Sequence, residues 1–389
     1  MLKKVFLSFL LIFFCLTTSL MSAQEDFELD SKSAILMEYE TGEILYQKEA
    51  NLELPPASMT KIMTMILVME AVEAGRAKLD DKLVVSEFAA SMGGSQIWLE
   101  PGEEMTLKEM MKAIAIVSAN DACVAVAEYL YGTEDAFVKG MNDKARELGL
   151  KNTYFYNTNG LPTDNPDIQG NYTSAHDLAV MARELLKHSK VLEWTSTWID
   201  YLRDGSSVLN NTNRLVRFYL GADGLKTGYT EESRFCLTST AKREGVRFIA
   251  VVMGVDDSST RFEESGKLLT YGFGMFQGLK IAESNELIEE ISIFNGKVEL
   301  ANAIVDKELI VPVRRGREAE ISKIIELNDN IHAPLIKGDK IGQIKVYKGN
   351  LLLKKADIIV DRDVHKASFF QMISRIIQRG IISIVGLVS

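Results

Sequence analysis

Ser58 and Lys61 stand three residues apart in LPPASMTKIMTMILVMEAV, where a proline-marked loop runs into an apolar stretch. A serine hydroxyl becomes a nucleophile when a base takes its proton, and a deprotonated lysine can be that base. Pro55 and Pro56 favour an extended approach, which puts Ser58 in the first turn of a helix with Lys61 at i+3. Residues at i and i+3 share a helix face, so hydroxyl and amine can meet. Unfilled N–H groups at that helix end favour developing negative charge. The same residues also fit an N-cap serine and a solvated helix lysine. The chain carries its own control in Ser239-Thr240-Ala241-Lys242, which repeats the spacing in a strand-like run. Side chains three apart on a strand point to opposite faces and cannot pair.

Two other stretches could join Ser58 and Lys61. In SANDACVAVAEYL, Ser118 and Asn120 fall in a short break between two helical patterns, where a hydroxyl and an amide can be aimed into one cleft. Capping of the following helix by Asn120 or Asp121 is the structural alternative. In DGLKTGYT, residues 223–230, Lys226, Thr227 and Gly228 lie on an edge-type strand. A glycine there lets a ligand or another segment approach the backbone closely; a strand lysine and a turn glycine is the alternative.

The elements that must hold these residues follow from periodicity. Residues 33–48 alternate about a Thr-Gly turn and predict a hairpin. Helical patterns cover 58–74, 106–117, 121–131, 134–148 and 174–188, with a polar, turn-rich stretch, NTNGLPTDNPDIQGNYTS, between the last two. Strand-like runs fill 224–254, and 261–276 returns to helix. Such an order is buried most simply by a helical cluster beside a sheet that the chain leaves and rejoins. From about 287 to 361 short strand-like runs alternate with Gly, Asn and Asp turns, which predicts a separate small β domain. In the tail, 366–389, Phe369, Ile373, Ile376, Ile377, Gly380 and Ile384 fall on one face, with Gln371, Ser374, Arg375, Gln378 and Ser383 largely on the other. This predicts an amphipathic helix lying in a membrane interface, the alternative being a helix docked on the β domain.

The chain of 389 residues, 47% hydrophobic, can bury more than one core. Lys3 and Lys4 followed by VFLSFLLIFFCL predict an export signal over residues 1–23, cleaved after Ala23 or retained as an anchor. Cleavage would take the formal charge from −10 to −12, since the segment holds two lysines and no acid. An acidic exported chain without a basic arm argues against nucleic acid as partner. Cys123 and Cys236 are too few for a disulfide scaffold and read as small buried hydrophobes. Four histidines and no CxxC or HExxH predict neither metal nor cofactor.

Taken together, SxxK at Ser58 and Lys61, SxN at Ser118 and Asn120, and KTG at Lys226, Thr227 and Gly228 resemble the signature of penicillin-recognising serine enzymes. The match is closer to the low-molecular-mass penicillin-binding proteins, the D-alanyl-D-alanine carboxypeptidases, and also includes PPASMTKIMT, FYNTNGLP, TSAHDLA, GADGLKTGYT and RFEESGKLLTYGF. The resemblance spans about residues 30–275, with the β domain and the tail in the family's order. It implies an α/β (α+β) serine β-lactamase/DD-peptidase-like catalytic domain over 24–280, a β domain over 287–361 and an anchor helix over 366–389. It also implies release of the terminal D-alanine from peptidoglycan stem peptides, inhibition by β-lactams, and action at the extracytoplasmic face of a bacterial membrane. Ser58 would be acylated, Lys61 would take its proton, and Ser118, oriented by Asn120, would relay a proton to the leaving amine. A buried lysine near a second cation loses its proton more readily, and Lys226 beside Lys61 is expected to act so. The amides of Ser58 and Tyr229 would hold the oxyanion, and Lys226, Thr227 and Arg261 the substrate carboxylate; a surface salt bridge of Arg261 to Glu263 or Glu264 is the alternative. Tyr229 stands where some members carry His. A class A β-lactamase, a transpeptidase and a non-enzymatic wall-binding module are the competing readings. No ExxLN-type segment lies between 120 and 226, which speaks against the first; the complete residue set speaks against the last.

Overall fold

The computed structural model describes residues 28–163, 165 and 167–375. The export-signal expectation for 1–23, and the tail expectation beyond Arg375, lie outside the described residues.

Five antiparallel strands form the first sheet: β1 (Ser33–Glu38), β2 (Ile44–Lys48), β3 (Ala222–Thr230), β4 (Arg234–Arg243) and β5 (Val246–Val255). Their order is β2-β1-β5-β4-β3. The chain leaves after β2 and returns 174 positions later at β3, which becomes an edge strand. Between them run α1 (Lys61–Glu73), α2 (Leu107–Ile116), α3 (Asn120–Tyr131), α4 (Glu134–Glu147) and α5 (Ala175–Leu185), and α6 (Ser258–Met275) follows β5.

Burial explains the sequence patterns. Every residue of β1 and β5 is buried, because both faces of the sheet centre are covered. Ile249, Val251 and Met253 join the helical core, while Phe248 on the other face meets Phe273 of α6 edge-on at 5.0 Å. The central helix α1 is apolar on every side, since α2, α3, α4 and α5 all pack on it. It is preceded by one tight 3-10 turn, Ala57–Thr60, so Ser58 sits just ahead of the α-helix rather than inside it. Asp257 caps α6 by accepting from Ser259 and Thr260, which starts that helix three residues earlier than its periodicity predicts.

A second core gathers β6 (Phe276–Ala282), β7 (Leu287–Ser292), β8 (Leu300–Val305), β9 (Leu309–Arg314), β10 (Ile321–Leu327), β11 (Lys340–Lys348) and β12 (Leu351–Val360). Five of these form a sheet in the order β7-β8-β12-β11-β10, and β6 pairs with β9. The expected boundary at residue 280 falls inside β6, whose Ala282 belongs to this second core. Strands β6, β7 and β10 carry no clear alternation in the sequence; half-exposed positions along β10 blur its period. Glu43 in the β1–β2 turn ties the two parts together through Arg314 and Lys348.

Among the described residues, no helix is long and apolar enough to cross a membrane.

Candidate active site

The turn that carries Ser58 is held in a strained shape. Ala57 has φ +48°, a left-handed conformation that costs a non-glycine residue about 1–2 kcal/mol. Two glycines press on the turn from either side. A Cβ at Gly160 would lie 1.9 Å from the Ala57 carbonyl oxygen, and one at Gly228 would lie 2.7 Å from the Pro56 oxygen. The loop after α4 and the edge strand β3 can reach the turn only because both positions lack a side chain. Within the turn, Lys61 Nζ lies 2.9 Å from Ser58 Oγ.

Lys61 is fully buried, and its amine has two further partners: Asn120 Oδ1 at 2.6 Å and the Asn159 carbonyl at 2.8 Å. Both are acceptors only, so both require N–H from Lys61. The third position of the amine faces Ser58. Asn120 is itself fixed, since its Nδ2 donates to the Gly93 carbonyl at 2.7 Å and its backbone N–H to the Ser95 carbonyl. The expected alternative, capping of α3, is not what these side chains do. The cap residue is Ala119, and Asp121 accepts from the backbone of Ile97 and Leu99. Asn120 therefore positions Lys61, whereas the sequence suggested that it orients Ser118.

Ser118 occupies the α2–α3 turn with φ +67°, and its buried hydroxyl has no partner among the described residues. Lys226, on β3, is 1% exposed and donates only to the Thr227 carbonyl, at 3.1 Å. Burial lowers the Lys61 amine to about 8. Burial, and then the charge of Lys61, hold Lys226 well below the usual lysine range. The sequence reading had Lys226 discharging Lys61; the bonding favours the reverse. Lys61 has three oxygens around an ammonium and Lys226 has one, so the resting proton belongs on Lys61.

The far side of the site is β3 and α6. Thr227 Oγ1 lies 2.7 Å from Thr212 Oγ1, in a loop tied to α2 through the Ile116 carbonyl. Arg261 is 9% exposed and points its Nη1 at the Gly228 and Cys236 carbonyls, at 3.2 and 3.4 Å. Its Nε is buried without a partner, and no acid pairs with it among the described residues. Burial lowers it to about 10, so it stays charged at neutral pH. The salt bridge to Glu263 or Glu264 weighed as its alternative is not formed, and Glu264 instead accepts from the backbone of Ser31. Tyr229 is half-exposed, stacks on Phe235 and donates to Glu231. The second SxxK lies on β4, with Ser239 buried and Lys242 exposed.

Asn159, Gly160 and Thr212 were not among the residues singled out from sequence. FYNTNGLP offered a signal, but a polar turn reads as loop until the fold brings it against Lys61.

Residues 19–257 match the family model described as D-alanyl-D-alanine carboxypeptidase, and residues 276–366 match that of the penicillin-binding protein 5 C-terminal domain. The chain belongs to the D-alanyl-D-alanine carboxypeptidase family. It is 44% identical over 350 residues to D-alanyl-D-alanine carboxypeptidase DacF of Bacillus subtilis, covering 89% of each chain. It is 31% identical to DacA of Escherichia coli, covering 88% of this chain and 86% of that one. Among solved structures it resembles penicillin-binding protein 5 of Haemophilus influenzae, with TM-score 0.63 and 29% identity over 87% of this chain and 98% of that one. It also resembles penicillin-binding protein D2 of Listeria monocytogenes in its ampicillin-bound form, with TM-score 0.58 and 31% identity over 64% of this chain and 99% of that one.

Proposed function

We propose that Ser58 is the nucleophile through which this serine-type D-Ala-D-Ala carboxypeptidase removes the terminal D-alanine of peptidoglycan stem peptides. The observation that carries the reading is the bonding of Lys61. A neutral amine has two N–H groups and one lone pair. Asn120 Oδ1 and the Asn159 carbonyl use the two N–H groups, which leaves the lone pair for the Ser58 proton across 2.9 Å.

The terminal carboxylate of the substrate binds beside Thr227, Lys226 and Arg261. Its charge makes a proton on Lys226 favourable, which allows Lys61 to act from the neutral form. Ser58 Oγ attacks the penultimate carbonyl, the amides of Ser58 and Tyr229 hold the oxyanion, and Ser118 passes a proton to the departing D-alanine nitrogen. Water then cleaves the ester. A β-lactam enters the same path through its own carboxylate and amide, and its acyl-enzyme is the stable product.

The enzyme acts outside the cytoplasm, on the face of the membrane where peptidoglycan lies, with its tail in the interface. In support, residues 369–375 are helical, with Phe369 69% and Phe370 82% exposed, while Arg375 is held by the Gly296 and Lys297 carbonyls and Glu299. Apolar residues facing water beside a docked arginine fit a helix that continues onto a lipid surface.

The test follows D-alanine release from diacetyl-Lys-D-Ala-D-Ala beside fluorescent-penicillin labelling of wild type and Ser58→Ala. Release with a Ser58-dependent label is expected. Labelling that survives in Ser58→Ala would overturn the nucleophile, and rapid penicillin hydrolysis would favour a β-lactamase.

A further inference from the structure

Two arginines share a small cavity where the catalytic part of the chain meets the β domain. It holds about 200 Å³ and is lined by Arg243 at the end of β4, Phe273 of α6, Phe276 of β6 and Arg315 just past β9. The Arg243 guanidinium lies over the rings of Tyr219 and Phe273, at 4.5 and 4.4 Å, and its Nε donates to the Leu220 carbonyl at 2.9 Å. Arg315 donates from Nε to the Gly274 carbonyl at 3.2 Å and from Nη1 to Gln277 Oε1 at 3.0 Å. Each guanidinium is held through part of its N–H set, and neither bonds a carboxylate among the described residues. We infer that this cavity binds a phosphate group, and that the surface leading from it binds further phosphates of the same molecule, a polyol or sugar phosphate polymer. Only the location outside the cytoplasm is borrowed from the proposed function, and it leaves these polymers rather than nucleic acid as the source of phosphate.

The chemistry of the cavity selects the ligand. Two like charges in one cavity repel, so an anion between them is favoured. Glu244 also lines the cavity, but its single charge is exceeded by the two guanidiniums. A carboxylate offers its two oxygens in one plane, to one planar fork. A tetrahedral phosphate can face two forks that arrive from different elements, and Arg243 and Arg315 do so. Stacking and backbone bonds already fix Arg243, which lowers the entropy lost on binding. A cavity below the roughly 300 Å³ of ordinary small-molecule sites suits one such group.

The surface beside it argues for a polymer. Phe218 stands two residues before Leu220, whose carbonyl holds Arg243. Arg217 lies over the rings of Trp198 and Phe218, at 5.9 and 5.8 Å, and Arg214 over Phe218 at 5.9 Å. Arg214, Arg217 and Phe218 are exposed, and neither arginine pairs with an acid among the described residues. A strip of unneutralised arginines on a chain of net charge −10 is a local exception. It serves a ligand that repeats its charge, because each further contact is made within one complex. A lipid headgroup is the less suitable source of phosphate. Near the start of β12, Lys354 reaches Glu40 of the β1–β2 turn at 3.4 Å, and the cavity lies at that end, beside the Arg314–Glu43 contact. The far end, Val360, leads to Lys366 and Gly296, where Arg375 of the tail docks. Those six steps of strand hold the cavity about 20 Å from the tail.

The experiment titrates the full chain into a short, end-labelled poly(glycerol phosphate) and follows fluorescence anisotropy, with fluorescent-penicillin labelling to report an intact fold in every variant. Arg243→Gln/Arg315→Gln should weaken binding about tenfold and Arg214→Gln/Arg217→Gln about threefold, since an exposed charge contact carries up to about fivefold. The losses should shrink as salt rises. Lys139→Gln/Lys151→Gln makes the same charge change on exposed lysines elsewhere and should bind as wild type does. Polyglutamate of matching charge should bind more weakly than the phosphate polymer. Phosphatidylglycerol vesicles should bind wild type and Arg243→Gln/Arg315→Gln alike. Failure of the polymer to bind at low salt, an equal loss in the lysine variant, equal binding of polyglutamate, or a loss confined to vesicles would each overturn the assignment.

Discussion

Replacing Gly160 with Ala tests how the nucleophile is held. The added Cβ would lie 1.9 Å from the Ala57 oxygen, against a floor of about 3.0 Å for real contacts, so the loop and the turn must part by about 1.1 Å. Gly160 also has φ +85°, which costs alanine about 1–2 kcal/mol. Neither neighbour gives easily. Asn159 is bound to Lys61, Gly160 N–H donates to Asn157 Oδ1, and the other side of the turn rests on Gly228. A displacement of about 1 Å in a catalytic group costs roughly 10²-fold in rate. The second-order rate of acylation by fluorescent penicillin should therefore fall about 10²-fold in Gly160→Ala, with melting lowered by a few degrees. Gly170→Ala on the same segment is the control, because its Cβ would meet only Thr163 Cγ2, at 3.8 Å. That variant should acylate as wild type does. Acylation of Gly160→Ala within about threefold of wild type, in a folded protein, would refute the claim that this glycine sets the position of Ser58.

Other outcomes follow from the same geometry. With one proton on the lysine pair, resting on Lys61 at about 8 and passed to Lys226 when a carboxylate binds, acylation should hold level just below pH 8 and fall about tenfold per pH unit above it; a stopped-flow pH profile that rises through pH 8 and levels off above would contradict this. If the proposed contact of Arg261 is to the substrate carboxylate, Arg261→Gln should lose about 10- to 100-fold in kcat/KM on a peptide acid and much less on the matching C-terminal amide; equal losses on both would show a merely structural role. Asp223→Ala strips the carboxylate that bonds Arg247 at 2.7 and 2.6 Å and leaves a guanidinium 8% exposed, so urea unfolding should show a loss of about 3 kcal/mol.

Much of this protein was legible in one dimension. Ser58 and Lys61 declare themselves because a helix start puts i and i+3 on one face, a local rule that needs no knowledge of the rest of the chain. The helices around them, the hairpin of β1 and β2, the strand-like runs of β3 and β4, and the turn at Ser118 are equally local. What a residue touches across 60 or 100 positions is not. Lys61 meets Asn120 and the Asn159 carbonyl only because α1 is buried among the other helices and the loop after α4 folds back over its start. A backbone carbonyl leaves no trace in residue type, so the role of Asn159 could not be read from it. The proton balance between Lys61 and Lys226 was likewise decided in three dimensions. Both are lysines in signature motifs, and only the count of oxygens around each buried amine distinguishes them. The sequence by itself determined which groups could react; the tertiary structure decided how many oxygens surround each buried lysine amine and which glycines pack on the turn that carries Ser58, because desolvation and close packing act through space rather than along the chain.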